Sequence, residues 1–76
     1  MKDNKIKKIF CQVLGISQAD FSEDIAYDSF EKWDSLKHLQ MIAELEEAFG
    51  IDIEMDDVIA MENFKKVKKL VKKYLK

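Results

Sequence analysis

The 76-residue sequence predicts an all-α domain: a bundle of three longer helices and one short helix, with a long first connection. Three observations carry that expectation. Proline is absent and glycine occurs only as Gly15 and Gly50, so few residues interrupt helical segments. The chain is rich in Leu, Lys, Glu, Met and Ala, all good helix formers. No run alternates apolar and polar residues for long, and no Asn-Gly hairpin signal occurs. The best strand candidate, "IDI" at 51–53, is too short to build a sheet.

The elements follow in order. A first helix is expected over roughly 3–14, because Ile6, Ile9, Phe10, Val13 and Leu14 recur on one face. Gly15 then supplies a stop that tolerates left-handed backbone. Residues 16–34 form a long acidic connection carrying Ile16, Phe21, Ile25, Tyr27, Phe30 and Trp33, so it should pack onto the bundle. Phe30 and Trp33 are the expected clamps. The second helix should begin at Asp34 or Ser35 and end at Gly50. Its expected inward face is Leu36, Leu39, Ile42, Ala43, Leu45 and Phe49, with Met41 and Ala48 off it. "MDDVIAM" at 55–61 reads as a short helix with Asp56 as its cap. Asn63 should cap a last helix that turns Phe64, Val67, Leu70, Val71 and Tyr74 inward and its lysines outward.

The totals bound the function. This length suits one domain, residues 1–76, with a small core and little room for a self-sufficient catalytic site. Cys11 is the only cysteine, so no intrachain disulfide forms and a reducing, cytoplasmic setting is expected. No apolar run approaches the ~20 residues that span a bilayer. The net charge of −2 conceals a strong asymmetry: +3 over residues 1–16, −12 over 17–62 and +7 over 63–76. The acidic centre should attract basic partners. His38 lacks a nucleophile and orienting partner in sequence, and neighbouring carboxylates Glu44, Glu46 and Glu47 point apart on a helix. No catalytic residue and no metal site is expected.

The informative stretch is "KWDSLKHLQMIAELEEAFG" at 32–50. An Asp-Ser pair before an amphipathic run is a common helix start, since both side chains accept from free N–H groups. A serine there also faces a helix N-terminus, where an anion such as a phosphodiester is electrostatically favoured. On the dipeptide alone, capping is the simpler reading.

"DSL" at 34–36, "AELEEAFGIDI" at 43–53, the following "DD" and the terminal "ENFKKVKKLVKKYL" together resemble the acyl carrier protein family. The likeness covers nearly the whole chain, and "WDSL" looks like the free-standing carriers of specialised pathways. It implies an acyl-carrier-like four-helix bundle and a covalent 4'-phosphopantetheine on Ser35, taken from coenzyme A, with Asp34 aiding transfer. It implies partners of two kinds, a phosphopantetheinyl transferase and acyl-loading and acyl-using enzymes. Leu36, Lys37, Met41, Glu46, Glu47, Asp56 and Asp57 would form the docking surface. Leu39, Ile42, Leu45, Ile53, Ile59, Val67 and Leu70 would line the core and any acyl tunnel. The chain would itself be no enzyme and a monomer, without nucleic-acid binding or stable membrane insertion. Lys37 and Gln40 depart from the acids that housekeeping fatty-acid carriers usually have, which points to dedicated partners. Two alternatives remain: an aminoacyl or peptidyl carrier, and an unmodified helical module whose lysine-rich last helix binds anions.

Overall fold

The computed structural model describes residues 2–75, so the last lysine of the basic tail, Lys76, lies outside them. Helix α1 spans Lys2–Leu14, α2 Ser35–Phe49, α3 Met55–Ala60 and α4 Phe64–Tyr74. Among the described residues there is no strand, and 51–54 has no regular structure.

Single residues set the helix ends. Asp34 is the N-cap of α2, with its Oδ1 accepting from Lys37 N–H at 2.9 Å. Asn63 does the same for α4, accepting from Lys66 N–H at 2.8 Å. Gly50 closes α2 at φ 65°, and Gly15 follows α1 at φ 67°, both left-handed positions where a side chain would be strained. At the start of α3 the expected cap is corrected. Asp56 lies inside the helix, and the backbone carbonyl of Glu54 accepts from Asp57 and Val58 N–H instead.

The core joins all four helices and the long connection. Ile6, Phe10, Leu45, Val67 and Val71 are fully or nearly fully buried, and Met61 and Phe64 close its other side. Phe10 is the hub of an aromatic cluster, meeting Trp33, Phe64 and Phe21 edge-on at 5.1, 4.9 and 6.0 Å. Phe21 and Trp33 come from the connection, so its hydrophobes do pack inward. The connection is also hydrogen-bonded in place. Ala26 bridges Asn63, with Tyr27 N–H donating to Glu62 C=O and Phe64 N–H to Ile25 C=O.

The buried stripe of α2 differs from the expected one. Met41, Ile42 and Leu45 are buried, while Leu36 is 63% and Leu39 57% exposed, and Ala43 is exposed too. Helix α2 carries two apolar stripes, and only the one facing α1 is core. Met41→Ala should therefore destabilise by about 2–5 kcal/mol, and Leu39→Ala by no more than about 0.5 kcal/mol. Urea melts of the two variants check the register; the opposite ranking would reject it.

The charge asymmetry is resolved inside the molecule. Five lysines of α4 pair with carboxylates from elsewhere: Lys65 with Asp24, Lys66 with Glu62, Lys68 with Glu23, Lys72 with Asp3 and Lys73 with Asp57. Each exposed pair contributes little by itself. Together they engage five of the six lysines of α4, which weakens the reading of α4 as an anion-binding surface.

Asp57 is the most connected of these acids. It accepts from Lys73 Nζ at 2.8 Å and from the Tyr74 hydroxyl, which in turn accepts from Glu54 N–H. The Lys73 and Tyr74 hydrogen bonds hold its carboxyl below the usual range, and Asp57 pushes Lys73 and Tyr74 up. Lys72 and Lys66 likewise lower Asp3 and Glu62. Depressed carboxyls add stability above their unfolded pKa, and this is lost as pH falls through the folded value. The raised Lys73 and Tyr74 contribute below their unfolded values and lose that as pH rises. Asp57→Asn should thus flatten both the acid and the alkaline arm of a stability–pH profile. Urea midpoints across pH measure it, and an unchanged profile would contradict the assignment.

Candidate functional site

Ser35 is the first residue of α2 and is exposed. Asp34 supplies the side-chain cap, so the hydroxyl of Ser35 is not needed to start the helix. The first turn of a helix favours an anion through its N–H groups and dipole. That fits the phosphate of a covalently attached arm.

Around Ser35 the sequence-predicted residues divide. Leu36, beside it, is exposed, and so are Glu47 and Asp56. Lys37 is half-buried. Met41 is fully buried, which removes it from any docking surface. Glu46 is half-buried and its Oε2 accepts from Ile53 N–H at 2.8 Å, holding the chain after α2. Asp57 is engaged with Lys73 and Tyr74.

The residues expected to line an interior divide as well. Ile42, Leu45, Ile53 and Val67 are buried and Leu70 is half-buried. Leu39 and Ile59 are not core: Ile59 is 70% exposed, with Met55 beside it on α3 at 65%. A six-residue helix that buries only Val58 leaves its other apolar side chains to solvent. Leu36 and Leu39 of α2 and Met55 and Ile59 of α3 are thus the large aliphatic side chains most exposed to solvent among the described residues.

Sequence reasoning missed the link between these helices. Trp33 Nε1–H donates to His38 Nδ1 at 3.0 Å, and His38 Nε2 lies 2.8 Å from Val58 C=O. An indole N–H can only donate, so Nδ1 accepts and Nε2 carries the proton to the Val58 carbonyl. Both ring nitrogens are thus engaged. His38 therefore ties the connection, α2 and α3 together. A tryptophan five residues before a histidine offers no periodic signal for this.

Other chemistry is limited. Cys11 is buried in the core and burial pushes its thiol up, away from reactivity. Among the described residues no three His, Cys, Asp or Glu side chains gather to hold a metal. None of the described helices is long and apolar enough to cross a membrane.

Two comparisons bear on this geometry. Residues 4–72 match the family described as phosphopantetheine attachment site. The fold is similar to the solution structure of a holo acyl carrier protein from Geobacter metallireducens, with a TM-score of 0.82 at 24% identity. That match covers 97% of this chain and 85% of the other.

Proposed function

The chain belongs to the phosphopantetheine attachment site family and is a carrier for that arm, and from this premise we propose that Ser35 is the attachment residue of an acyl carrier. One observation carries the assignment. Ser35 is exposed at the start of α2 while the neighbouring Asp34 performs the capping, which leaves the serine hydroxyl available. In loading, the hydroxyl oxygen bonds to the phosphorus bearing pantetheine in coenzyme A, and 3',5'-adenosine bisphosphate leaves. The arm supplies a terminal thiol that holds an acyl group as a thioester. Asp34 fixes the helix start and adds a carboxylate beside the reacting hydroxyl.

Partner enzymes are read from the same end. Leu36, Leu39, Met55 and Ile59 offer apolar contact, and Lys37 and Asp56 add charge, with Glu47 about three turns further along α2. Leu39, Met55 and Ile59 take the place that Met41 cannot fill. Mixed charge near the arm favours dedicated acyl-handling enzymes over partners that recognise a purely acidic helix.

The test is intact mass after incubation with coenzyme A, magnesium and a broad-specificity phosphopantetheinyl transferase, with fragmentation to locate the added group. One phosphopantetheinyl unit on Ser35 is expected. No gain by a folded protein, beside a working control carrier, would reject the assignment.

A further inference from the structure

Three hydrogen bonds join the residues just before Ser35 to the residues just after Leu36. The Asp34 carboxylate accepts from Lys37 N–H at 2.9 Å, and the Asp34 carbonyl accepts from His38 N–H at 2.9 Å. Both are ordinary bonds of a capped helix start. The third is not. Trp33 Nε1–H donates to His38 Nδ1 at 3.0 Å and closes the same span through two side chains. A helix with a side-chain cap has no need of it.

Its anchorage sets the third bond apart. Asp34 is exposed, so its cap competes with water, and terminal turns fray. Trp33 is buried, and its ring meets Phe10 at 5.1 Å and Tyr27 at 5.8 Å, both edge-on. Its backbone N–H donates to Phe30 C=O at 3.0 Å. His38 is half-buried, with its Nε2 2.8 Å from Val58 C=O. The clasp thus fixes both ends of the span 33–38 to parts of the molecule that do not fray with the first turn. Ser35 stays exposed inside that span while the backbone on either side is held from the core.

This restraint bears on one atom. Loading joins the Ser35 Oγ to phosphorus, and displacement at phosphorus needs the attacking oxygen in line with the leaving group. A serine side chain has a single heavy-atom rotation, so the rest of the freedom of Oγ is backbone freedom. Resting on the attachment reading, we propose that Trp33 and His38 are positioning residues for loading: their clasp holds the Ser35 backbone in the orientation that the transferase requires. Neither side chain touches the reacting atoms. The exposed apolar residues offered to partners are other residues, and Trp33→Phe leaves the His38–Val58 bond in place. Loss of the clasp therefore acts on the chemical step and not on docking.

The experiment follows single-turnover transfer from coenzyme A to the full chain, with the phosphopantetheinyl transferase in excess and varied in concentration. Intact mass reports the gain, and circular dichroism shows that each variant is folded under assay conditions. Trp33→Phe should slow the limiting rate about tenfold. Half-saturation should change by less than about twofold. His38→Leu, which removes the acceptor and keeps Trp33, should slow the limiting rate by a similar factor. If one of the two fails to fold, the other carries the test, since each breaks the bond. The double variant should be no slower than the slower single. Val71→Ala opens the core from α4 without touching the clasp and should load at the parent's limiting rate. Without any transferase, backbone ¹⁵N order parameters of Ser35 and Leu36 should fall in Trp33→Phe while that of Leu45 holds.

A folded parent that gains no mass at Ser35 overturns the attachment and this inference with it. A parent that loads, with limiting rates or order parameters unchanged in the clasp variants, overturns this inference alone. Equal slowing in Val71→Ala does so too, by making stability the cause. So does an effect confined to half-saturation, which would make the clasp part of the docking surface, and so do effects that multiply in the double variant.

Discussion

Ser35→Ala should fold like the parent and gain no mass from coenzyme A and a transferase, a complete loss of loading. The two halves of that result have separate causes. Loading needs an oxygen at this position, and alanine has none. Stability should change by no more than about 0.5 kcal/mol, because the cap hydrogen bond belongs to Asp34 and alanine is the best helix former. Asp34→Ala should do the reverse in stability and cost about 1 kcal/mol. Intact mass and urea melts on the same samples separate the two effects. A Ser35→Ala protein that still accepts the arm would move the attachment to another residue.

Trp33→Ala should destabilise by about 3–5 kcal/mol, much of what a domain of this size has. Trp33 is 2% exposed, packs edge-on to Phe10 at 5.1 Å, and gives its N–H to His38. Removing it opens a cavity in the aromatic cluster and leaves the His38 acceptor without its donor. Trp33→Phe keeps most of the ring contact and loses only the hydrogen bond, so about 1–2 kcal/mol is expected. Urea titrations followed by circular dichroism give both values. Equal midpoints for Trp33→Ala and the parent would mean that the connection is not clamped there.

These two residues also mark how far the sequence could be read. The helix order, the Asn63 cap and the inward packing of Phe21 and Trp33 were all legible, because each rests on local spacing or on hydrophobes with nowhere else to go. The register of α2 was not. Its apolar residues cover two stripes, and a rule that buries the widest apolar face merges them. That rule turns Leu36 and Leu39 inward and Met41 outward, the reverse of their burial. Ile59 failed likewise, since α3 is too short to bury more than one stripe. Apolar residues that stay exposed look, in sequence, like core. The His38 clasp and the Ala26–Asn63 bridge were invisible for another reason. Each depends on how a twenty-residue connection folds back, which periodicity does not encode.

That bridge has a kinetic consequence. It joins residues far apart along the chain, and closing such a loop costs entropy that a local helix avoids. Contacts of that kind form late in folding and open early in native fluctuations. Tyr27 donates one of the bridge hydrogen bonds and its ring packs edge-on against Trp33 and His38, so each transient opening of the bridge loosens the connection's hold on α2 without melting the helices. The opening rate of a few backbone hydrogen bonds then sets how often this end of the bundle exposes its amides to solvent while the helices stay folded.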